Sequence, residues 1–289
     1  MGANLKSVVI TGASSGIGFS TCEKFLKHEY LVFGSVRKKA DALRLQKLLG
    51  PNFVPLIFDV TNKKKIYEAV SIVRNHIGIN NLSALINNAG IAVLGPLELL
   101  DPINFQKQLD TNLVGTFNCV QAFLPLLGSE NSNQTQKKGR IINISSALGG
   151  KIGYPFYGAY CSSKHALEGF SEALRRELMV YGIPVAIIAP GAIQTPIWSK
   201  AETSSLDKKY EGTIYNTAYK KMLSDMRNLG INGLNPEIVA SKILKVVEVQ
   251  NPKLRYTFIG ELMLNLQYFA PRRLMDLVVT HYLGLRRPR

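Results

Sequence analysis

Several residue types are scarce in this sequence of 289 residues, and each scarcity excludes a class of protein. It contains three cysteines, four histidines and one tryptophan. Cys22, Cys119 and Cys161 are far apart, odd in number and without metal-ligand spacing, so we expect buried free thiols in a reducing compartment. The histidines also lack ligand spacing, and no metal is expected.

Long apolar runs are missing as well. No stretch approaches the roughly 20 apolar residues that span a bilayer. The first residues match neither a secretory signal nor a myristoylation motif. We therefore expect a cytoplasmic protein.

Acidic residues are outnumbered, with 20 Asp and Glu against 35 Lys and Arg and a net charge of +15. A basic protein attracts phosphates, whether in nucleic acid, anionic lipid or a phosphorylated cofactor. Here the basic residues form small, separate clusters, and no nucleic-acid-binding module or aromatic-interleaved basic stripe accompanies them. No nucleic-acid partner is expected, and most of these charges are interpreted as solvated surface.

The sequence does contain a repeated alternation of apolar, Val- and Ile-rich runs with longer amphipathic segments. The runs predict strands at residues 7–10, 30–36, 53–58, 82–86, 140–144 and 184–189. The segments between them predict helices at residues 15–28, 41–49, 63–77, 102–127 and 157–181. Near-continuous apolar strands separated by helices are typical of a parallel sheet covered on both faces. The predicted fold class is α/β, with a doubly wound parallel sheet in a single domain over residues 1–289.

Three segments depart from this alternation. Residues 128–139 are polar and predict a solvent-exposed loop. Residues 192–235 interrupt the pattern, and a long irregular stretch in a compact domain is typically a lid or binding loop. Residues 260–289 form a C-terminal amphipathic extension, which follows an edge strand predicted at residues 256–259.

A glycine-rich turn joins the first predicted strand to the first helix, with the sequence Thr11-Gly12-Ala13-Ser14-Ser15-Gly16-Ile17-Gly18. Glycine permits positive φ and a close approach of the backbone to a ligand. The helix N-terminus behind the turn offers unpaired N–H groups and a positive dipole end to a pyrophosphate. After the first strand of a parallel sheet, this pattern indicates dinucleotide binding. The alternative is a tight turn without a ligand.

The spacing Gly-x-x-x-Gly-x-Gly is similar to that of the short-chain dehydrogenase/reductase family, and further motifs follow in the family's order. They are Asp59-Val60, Asn87-Asn88-Ala89-Gly90, Asn112, Ser145-Ser146, Tyr160-x-x-x-Lys164, and Pro190-Gly191 with Thr195 beyond. Residues 167–198 resemble the retinol and hydroxysteroid dehydrogenase branch and its bacterial relatives. The resemblance implies a Rossmann fold and NAD(P)(H)-dependent oxidoreductase activity. It also implies cofactor binding by Gly12, Ser14, Ser15, Gly16, Ile17, Gly18, Asp59, Val60, Asn88, Ala89, Gly90, Tyr160, Lys164, Pro190, Gly191, Ile193 and Thr195.

Tyr160 and Lys164 are four residues apart on a predicted helix, so both side chains project from one face. An unperturbed tyrosine has a pKa near 10, and a nearby ammonium lowers that pKa, as a proton-transfer group requires. Without other evidence, a tyrosine and a lysine at this spacing usually just lie on a solvent-exposed helix face. Within the resemblance, Tyr160 is expected to be the acid–base, and Lys164 also to grip the nicotinamide ribose.

The resemblance implies two further catalytic residues, a serine and Asn112. The serine hydrogen-bonds the substrate oxygen, and either Ser145 or Ser146 fits by position. Ser146 is preferred, although it stands 14 residues before Tyr160, one more than usual. Ser145 is then expected to face the other way, as strand-end packing or capping. Asn112 is expected to hold a water that relays protons toward Lys164; the alternative is an asparagine that bends or caps its helix.

The choice between NAD and NADP depends on the end of the second strand, where NAD enzymes generally carry an acidic residue. Ser35 occupies that position, and the basic residues Arg37 and Lys38 follow it. Such a cluster suits a 2′-phosphate, and the carboxylate that would repel it is missing. We expect NADP(H) bound through Arg37 and Lys38, with NAD(H) as the alternative because the cluster also fits solvated charges at a helix entrance.

The lid is rich in apolar and aromatic side chains, namely Ile193, Pro196, Ile197, Trp198, Tyr210, Tyr215, Tyr219 and Met222. Such a lining suits a large hydrophobic alcohol and its ketone or aldehyde, steroid-, retinoid- or lipid-like, although some of these side chains must pack the lid on the body. Two other functions stay open. A 3-ketoacyl thioester reductase needs a site for an acidic carrier, which the basic surface permits. A non-catalytic cofactor sensor would be expected to lose Tyr160 or Lys164, and both are present.

An apolar stripe at helical spacing follows Pro271, formed by Leu274, Leu277, Val278, His281, Tyr282 and Leu285, with arginines at both ends. One expectation is packing of this stripe against the body or a second subunit. The other is peripheral membrane contact, by shallow insertion of residues 262–289 into an anionic surface. The helices at residues 102–127 and 157–181 correspond to those through which family members usually associate, so a homodimer or homotetramer is expected.

Overall fold

Six predominantly apolar runs and one more polar edge segment form the strands of one sheet. The computed structural model describes residues 5–130, 137–147, 152–197, 207–258 and 270–285. Its strands are β1 (Ser7–Ile10), β2 (Leu31–Val36), β3 (Phe53–Ile57), β4 (Ala84–Asn87), β5 (Arg140–Ile144), β6 (Val185–Pro190) and β7 (Arg255–Phe258). They lie in the order β3-β2-β1-β4-β5-β6-β7, and each neighbouring pair is parallel. The predicted doubly wound α/β sheet in a single domain is confirmed.

The strand order reverses between β1 and β4. From β1 the chain runs outward to β2 and β3, and it then returns to place β4 on the other side of β1. A crevice therefore opens at the carboxyl ends of these two strands, where ligands bind in doubly wound folds. All residues of β1 and β4 are buried, so the loops that leave these strands start from a fixed base.

Helices cover both faces of the sheet. The helices of the described residues are α1 (Gly16–Leu26), α2 (Lys39–Leu49), α3 (Lys63–Ile77), α4 (Pro102–Leu109), α5 (Gly115–Phe123), α6 (Gly158–Glu177), α7 (Asn216–Ile231), α8 (Pro236–Glu248) and α9 (Arg272–Leu283). On one face α1 and α8 pack through Phe25 and Ile243. On the other, α3 and α5 pack through Val73 and Phe123.

The single helix predicted at residues 102–127 is interrupted. A π turn, Asp110–Val114, joins α4 to α5, and a 3₁₀ turn, Leu124–Leu127, follows. Gly115 comes directly after the π turn, and a Cβ built on it would lie 2.5 Å from Val60 Cγ2. The helix therefore passes close to the loop after β3, and π turns of this kind often mark functional sites.

The prediction of an irregular lid is wrong in part, because residues 192–235 contain α7 and a 3₁₀ turn, Asp207–Tyr210. Tyr219 and Met222 of α7 are buried in a third core cluster, together with Tyr210 and with Leu283 of α9. The lid is thus a packed helical layer. Trp198 lies outside the described residues. Within the described part of the chain, no helix is long and apolar enough to cross a membrane.

Candidate active site

The glycine turn after β1 has the backbone shape that glycine allows. Gly12 and Gly16 have φ of +70° and +56°, in the region that other residues rarely adopt. α1 begins at Gly16, and its first turn carries no acidic side chain. The N–H groups of that turn and the positive end of the helix dipole therefore face the crevice without a competing negative charge.

The same turn has no room for side chains. A Cβ on Gly12 would lie 2.9 Å from Ala89 Cα, one on Gly16 2.9 Å from Thr195 Cγ2, and one on Gly18 2.2 Å from the carbonyl oxygen of Gly12. Backbone from two loops thus converges closely around the start of α1. Such a cradle fits the pyrophosphate of a dinucleotide.

A buried threonine supports this cradle. Thr11 Oγ1 accepts hydrogen bonds from the backbone N–H groups of Asn88 and Ala89, at 2.9 and 3.0 Å. Asn88 Nδ2 donates to the carbonyls of Thr11 and Gly12, at 2.9 and 3.1 Å. The loops after β1 and β4 are therefore tied together. The sequence motif includes Thr11, but its role at the junction was not predicted.

Tyr160 and Lys164 lie on α6 beside Ser146, with Lys164 buried and Tyr160 half-buried. Burial raises the pKa of Tyr160 to about 12, although a hydrogen bond with Ser146 lowers it. The Lys164 ammonium lies 5.9 Å from the centre of the Tyr160 ring, and its Nζ donates to the carbonyl of Ile144 at 2.8 Å. The structure therefore brings together three of the four side chains that the sequence proposed for catalysis.

The expectation that the ammonium lowers the Tyr160 pKa in the protein alone is wrong. Removing the phenolate form of Tyr160 from water raises its pKa by more than the hydrogen bond with Ser146 lowers it. Burial also lowers the pKa of Lys164 to about 8, while the charge of Glu168 raises it. Without a ligand, Tyr160 is thus a protonated group, suited to donating a proton.

The two serines after β5 point to different partners. Ser146 bonds with Tyr160, whereas Ser145 Oγ donates to Glu168 Oε1 at 2.7 Å. Glu168 also accepts from Arg255 of β7, from Nε at 2.9 Å and from Nη2 at 3.1 Å. Ser145 therefore faces away from Tyr160, as the sequence predicted. Glu168 was missed, and its place one helical turn after Lys164 is the signal that could have found it.

Asn112 lies in the π turn and joins a loop to α6. Its Oδ1 accepts from the N–H of Ile91 at 2.9 Å, and its Nδ2 donates to the carbonyl of Ile91 and to Ser163 Oγ, both at 3.1 Å. Gln108, which is fully buried, bonds the same loop at Ile91 and Val93. These contacts give Asn112 a clear structural role, and the water relay stays a prediction. Gln108 was not predicted.

At the adenosine end of the crevice, the structure adds charged groups that the sequence analysis did not include. Ser35 is buried, and its Oγ accepts from the N–H of Gly12 at 3.0 Å. A carboxylate is nevertheless present, supplied by the loop after β3, because Asp59 Oδ2 lies 4.0 Å from Arg37 Nη1. Arg44 of α2, which was not predicted, donates to the carbonyl of Ser14 at 3.0 Å. Two guanidinium groups therefore flank this end.

One cavity of about 660 Å³ connects these groups. The predicted residues on its wall are Gly12, Ser14, Ser15, Gly16, Ile17, Arg37, Asp59, Val60, Asn88, Ala89, Gly90, Ser146, Tyr160, Lys164, Pro190, Gly191, Ile193, Thr195, Pro196 and Ile197. Gly18, Lys38 and Asn112 are not on the wall. Beyond Tyr160 the wall is largely apolar, with Leu94, Leu100, Met222, Met226 and Leu229.

Comparison with known proteins gives the family. The model described as "short chain dehydrogenase" matches residues 6–205. The chain is 36% identical over 274 residues to the NADPH-dependent 3-dehydrocapnine reductase of Ornithobacterium rhinotracheale, covering 94% of this chain and 95% of that protein. It is 33% identical over 255 residues to the 3-ketodihydrosphingosine reductase of Bacteroides thetaiotaomicron, with 88% of each chain covered.

Retinol dehydrogenase 16 of Mus musculus is 33% identical over 233 residues, which cover 76% of this chain and 71% of that protein. The chain belongs to the short-chain dehydrogenase family, and the predicted resemblance is confirmed. It is an oxidoreductase of that family.

Proposed function

We propose that this enzyme reduces the carbonyl group of a large, mostly apolar ketone or aldehyde with NADPH, and oxidises the matching alcohol in reverse. The observation that carries this proposal is the continuous cavity, in which Tyr160 and Ser146 lie between the glycine cradle and an apolar wall. The names of two relatives, a 3-dehydrocapnine reductase and a 3-ketodihydrosphingosine reductase, support a lipid-like ketone. Retinoids and steroids are the other members of the proposed class.

The proposed chemistry assigns each buried group one task. A bound nicotinamide dinucleotide supplies the hydride in reduction and accepts it in oxidation. Ser146 hydrogen-bonds the carbonyl oxygen, and Tyr160 donates its proton to that oxygen as negative charge develops on it. Burial keeps Tyr160 protonated, which favours the reducing direction. Lys164 places positive charge beside the phenol as its proton leaves.

NADP(H) is proposed over NAD(H) because of the charges at the adenosine end. Arg37 lies on the cavity wall, and Arg44 bonds the turn at Ser14. A guanidinium is well suited to a phosphate. Asp59 partly offsets Arg37, yet its Oδ1 is held by the N–H and hydroxyl of Thr61. The relative named as NADPH-dependent supports the same choice.

A 3-ketoacyl thioester reductase is the second candidate function. Lys107 and Lys209 lie on the cavity wall and are exposed. These ammonium groups could meet the phosphate of an acidic acyl carrier at the cavity entrance.

The direct experiment follows NADPH oxidation by purified protein with four carbonyl compounds: 3-ketodihydrosphingosine, retinal, a ketosteroid and an acetoacetyl thioester. We expect turnover of the first to exceed that of the thioester, with NADPH preferred over NADH. Preference for the thioester would favour the second candidate. If all four stay unreduced, the proposed substrate class is wrong.

A further inference from the structure

The C-terminal helix α9 has two apolar faces. Its inner face packs Val279 and Leu283 into the third core cluster, against α7. Its outer face presents Leu274, Leu277 and Val278, which are 52%, 63% and 43% exposed. The outer face therefore contains much of the apolar stripe seen in the sequence. In one copy of the chain, the described residues leave these three side chains largely uncovered.

The orientation of α9 is fixed by contacts at its C-terminal end. Lys221 Nζ of α7 donates to the carbonyl of Tyr282 at 2.6 Å and lies 3.8 Å from the centre of its ring. The Tyr282 hydroxyl donates to Asp225 Oδ2 at 3.0 Å. Gly284 then ends the helix in the left-handed conformation. Because α7 holds this end, the outer face is a defined surface.

Positive charge borders the outer face. Arg272 and Arg273 are exposed in the first turn of α9, which carries no acidic residue. Arg273 directly precedes Leu274 and lies at the edge of the outer face, whereas Arg272 is two positions from Leu274 and lies toward the opposite side. The sequence after the helix continues with Arg286-Arg287-Pro288-Arg289. The acidic residue of α9, Asp276, is two positions from both Leu274 and Val278, so it lies on the other side of the helix. Arginines around an apolar face are typical of a helix that lies in the headgroup region of a membrane.

We propose that the outer face of α9 docks on an anionic lipid surface, with its leucines and valine below the headgroups, Arg273 among them and Arg272 close above. The net charge of +15 favours the same partner. The inner face of α9 contacts α7, whose Met222 and Met226 line the cavity. Docking would therefore hold the cavity close to the membrane, where an apolar carbonyl compound is concentrated.

Vesicle sedimentation tests the proposal with the full chain and needs no substrate. We expect the protein to pellet with phosphatidylcholine vesicles that contain phosphatidylglycerol, and to stay in solution with phosphatidylcholine alone. Leu277→Asp should abolish pelleting, because it places a carboxylate in the centre of the face. The double variant Arg272→Gln/Arg273→Gln should weaken it, by about fivefold for each arginine lost.

Ile79→Asp is the matched control, since Ile79 is 81% exposed in the turn after α3. This variant should pellet as the wild type does. A wild type that stays in solution at low salt would overturn the proposal, and so would normal pelleting of Leu277→Asp. If Leu277→Asp instead converts a dimer to a monomer in light scattering, the face is a subunit contact and the proposal is wrong. Each of these outcomes is separate from the outcome of the reductase assay.

Discussion

At the scale of single residues, Tyr160 is the group whose chemistry can be tested most directly. It is half-buried, bonded to Ser146 and beside the Lys164 ammonium. Tyr160→Phe removes the proton donor while keeping the ring, so we expect carbonyl reduction to fall about a thousandfold. Cofactor affinity, measured by calorimetry, should change little. Retention of a tenth of the turnover would show that another group transfers the proton.

Glu168 should determine the pH at which activity is lost on the alkaline side. The pKa of Lys164 is lowered to about 8 by burial, and the carboxylate of Glu168 opposes that lowering. The charged form of Lys164 supports Tyr160, so activity is expected to fall as pH rises through this pKa. Glu168→Gln removes the opposing charge and should move the fall to lower pH. The measurement is kcat/KM against pH.

Ser145→Ala is the control for this shift. It removes the hydrogen bond to Glu168 but leaves the carboxylate and its Arg255 partner in place. Its alkaline limb should stay at the wild-type pH even if its rate is lower. A Glu168→Gln profile that coincides with the wild type would mean that Glu168 only packs β7 against α6.

Arg37 should discriminate between the two nicotinamide cofactors. It lies on the cavity wall, whereas Lys38 does not. Arg37→Gln should weaken NADPH binding by roughly tenfold or more, the scale of one hydrogen bond to a charged group, and leave NADH affinity nearly unchanged. Lys38→Gln, tested in parallel by calorimetry, should retain the preference for NADPH. Equal affinities of the wild type for both cofactors would refute this assignment.

At the scale of elements, we expect the substitution of glycine by alanine to have opposite effects on stability at two helix positions. A Cβ on Gly18 of α1 would lie 2.2 Å from the Gly12 carbonyl oxygen, while one on Gly169 of α6 would meet nothing within 4 Å. Gly18→Ala should therefore destabilise the protein by about 1–3 kcal/mol and weaken cofactor binding. Gly169→Ala should stabilise it by about 0.4–1 kcal/mol. Urea unfolding measures both, and a stable Gly18→Ala variant with full cofactor affinity would contradict the close packing.

The sheet could be predicted because each strand is marked by a local pattern. Runs such as 185–189 are apolar without a break, and burial on both faces requires this. α8 was missed, although local signals exist. Asn235 caps the helix by accepting from the N–H of Glu237, and Pro236 follows at the first position. Its apolar residues Val239, Ile243 and Val247 also recur at helical spacing. The π turn had no such signal, since it depends on contacts between Asn112 and a distant loop.

In the candidate site, too, residues in short motifs could be predicted, whereas residues that meet only in the folded chain could not. Residues within a short motif, such as Gly12 and Tyr160, were identified because their spacing carries the chemistry. Glu168 and Arg255 are 87 residues apart and meet because α6 and β7 are neighbours. Asp59 likewise meets Arg37 because the loops after the neighbouring strands β3 and β2 lie side by side. Such pairs arise from the sheet order, which the local sequence does not encode.

At the scale of the whole molecule, α5 and α6 present a surface that suits a second copy. Val114 and Phe117 are 42% and 41% exposed, and Phe117 packs edge-on against Phe170 of α6, with ring centres 6.3 Å apart. Exposed apolar residues are common on monomers. Here, however, Phe117 lies on α5 and Val114 directly before it, in the region where the resemblance to the family led us to expect association.

We therefore predict a homodimer or homotetramer in which α5 and α6 of two copies pack together. A stable contact of this kind buries about 1,200–2,000 Å² in total, and a guanidinium left unpaired at its centre is strongly unfavourable. Phe117→Arg should thus yield a monomer in light scattering, with its cofactor site intact by calorimetry. Leu277→Asp changes a face on α9 and should leave the oligomer unchanged, which separates the subunit contact from the membrane contact. A wild-type protein that is monomeric at working concentrations would contradict the prediction.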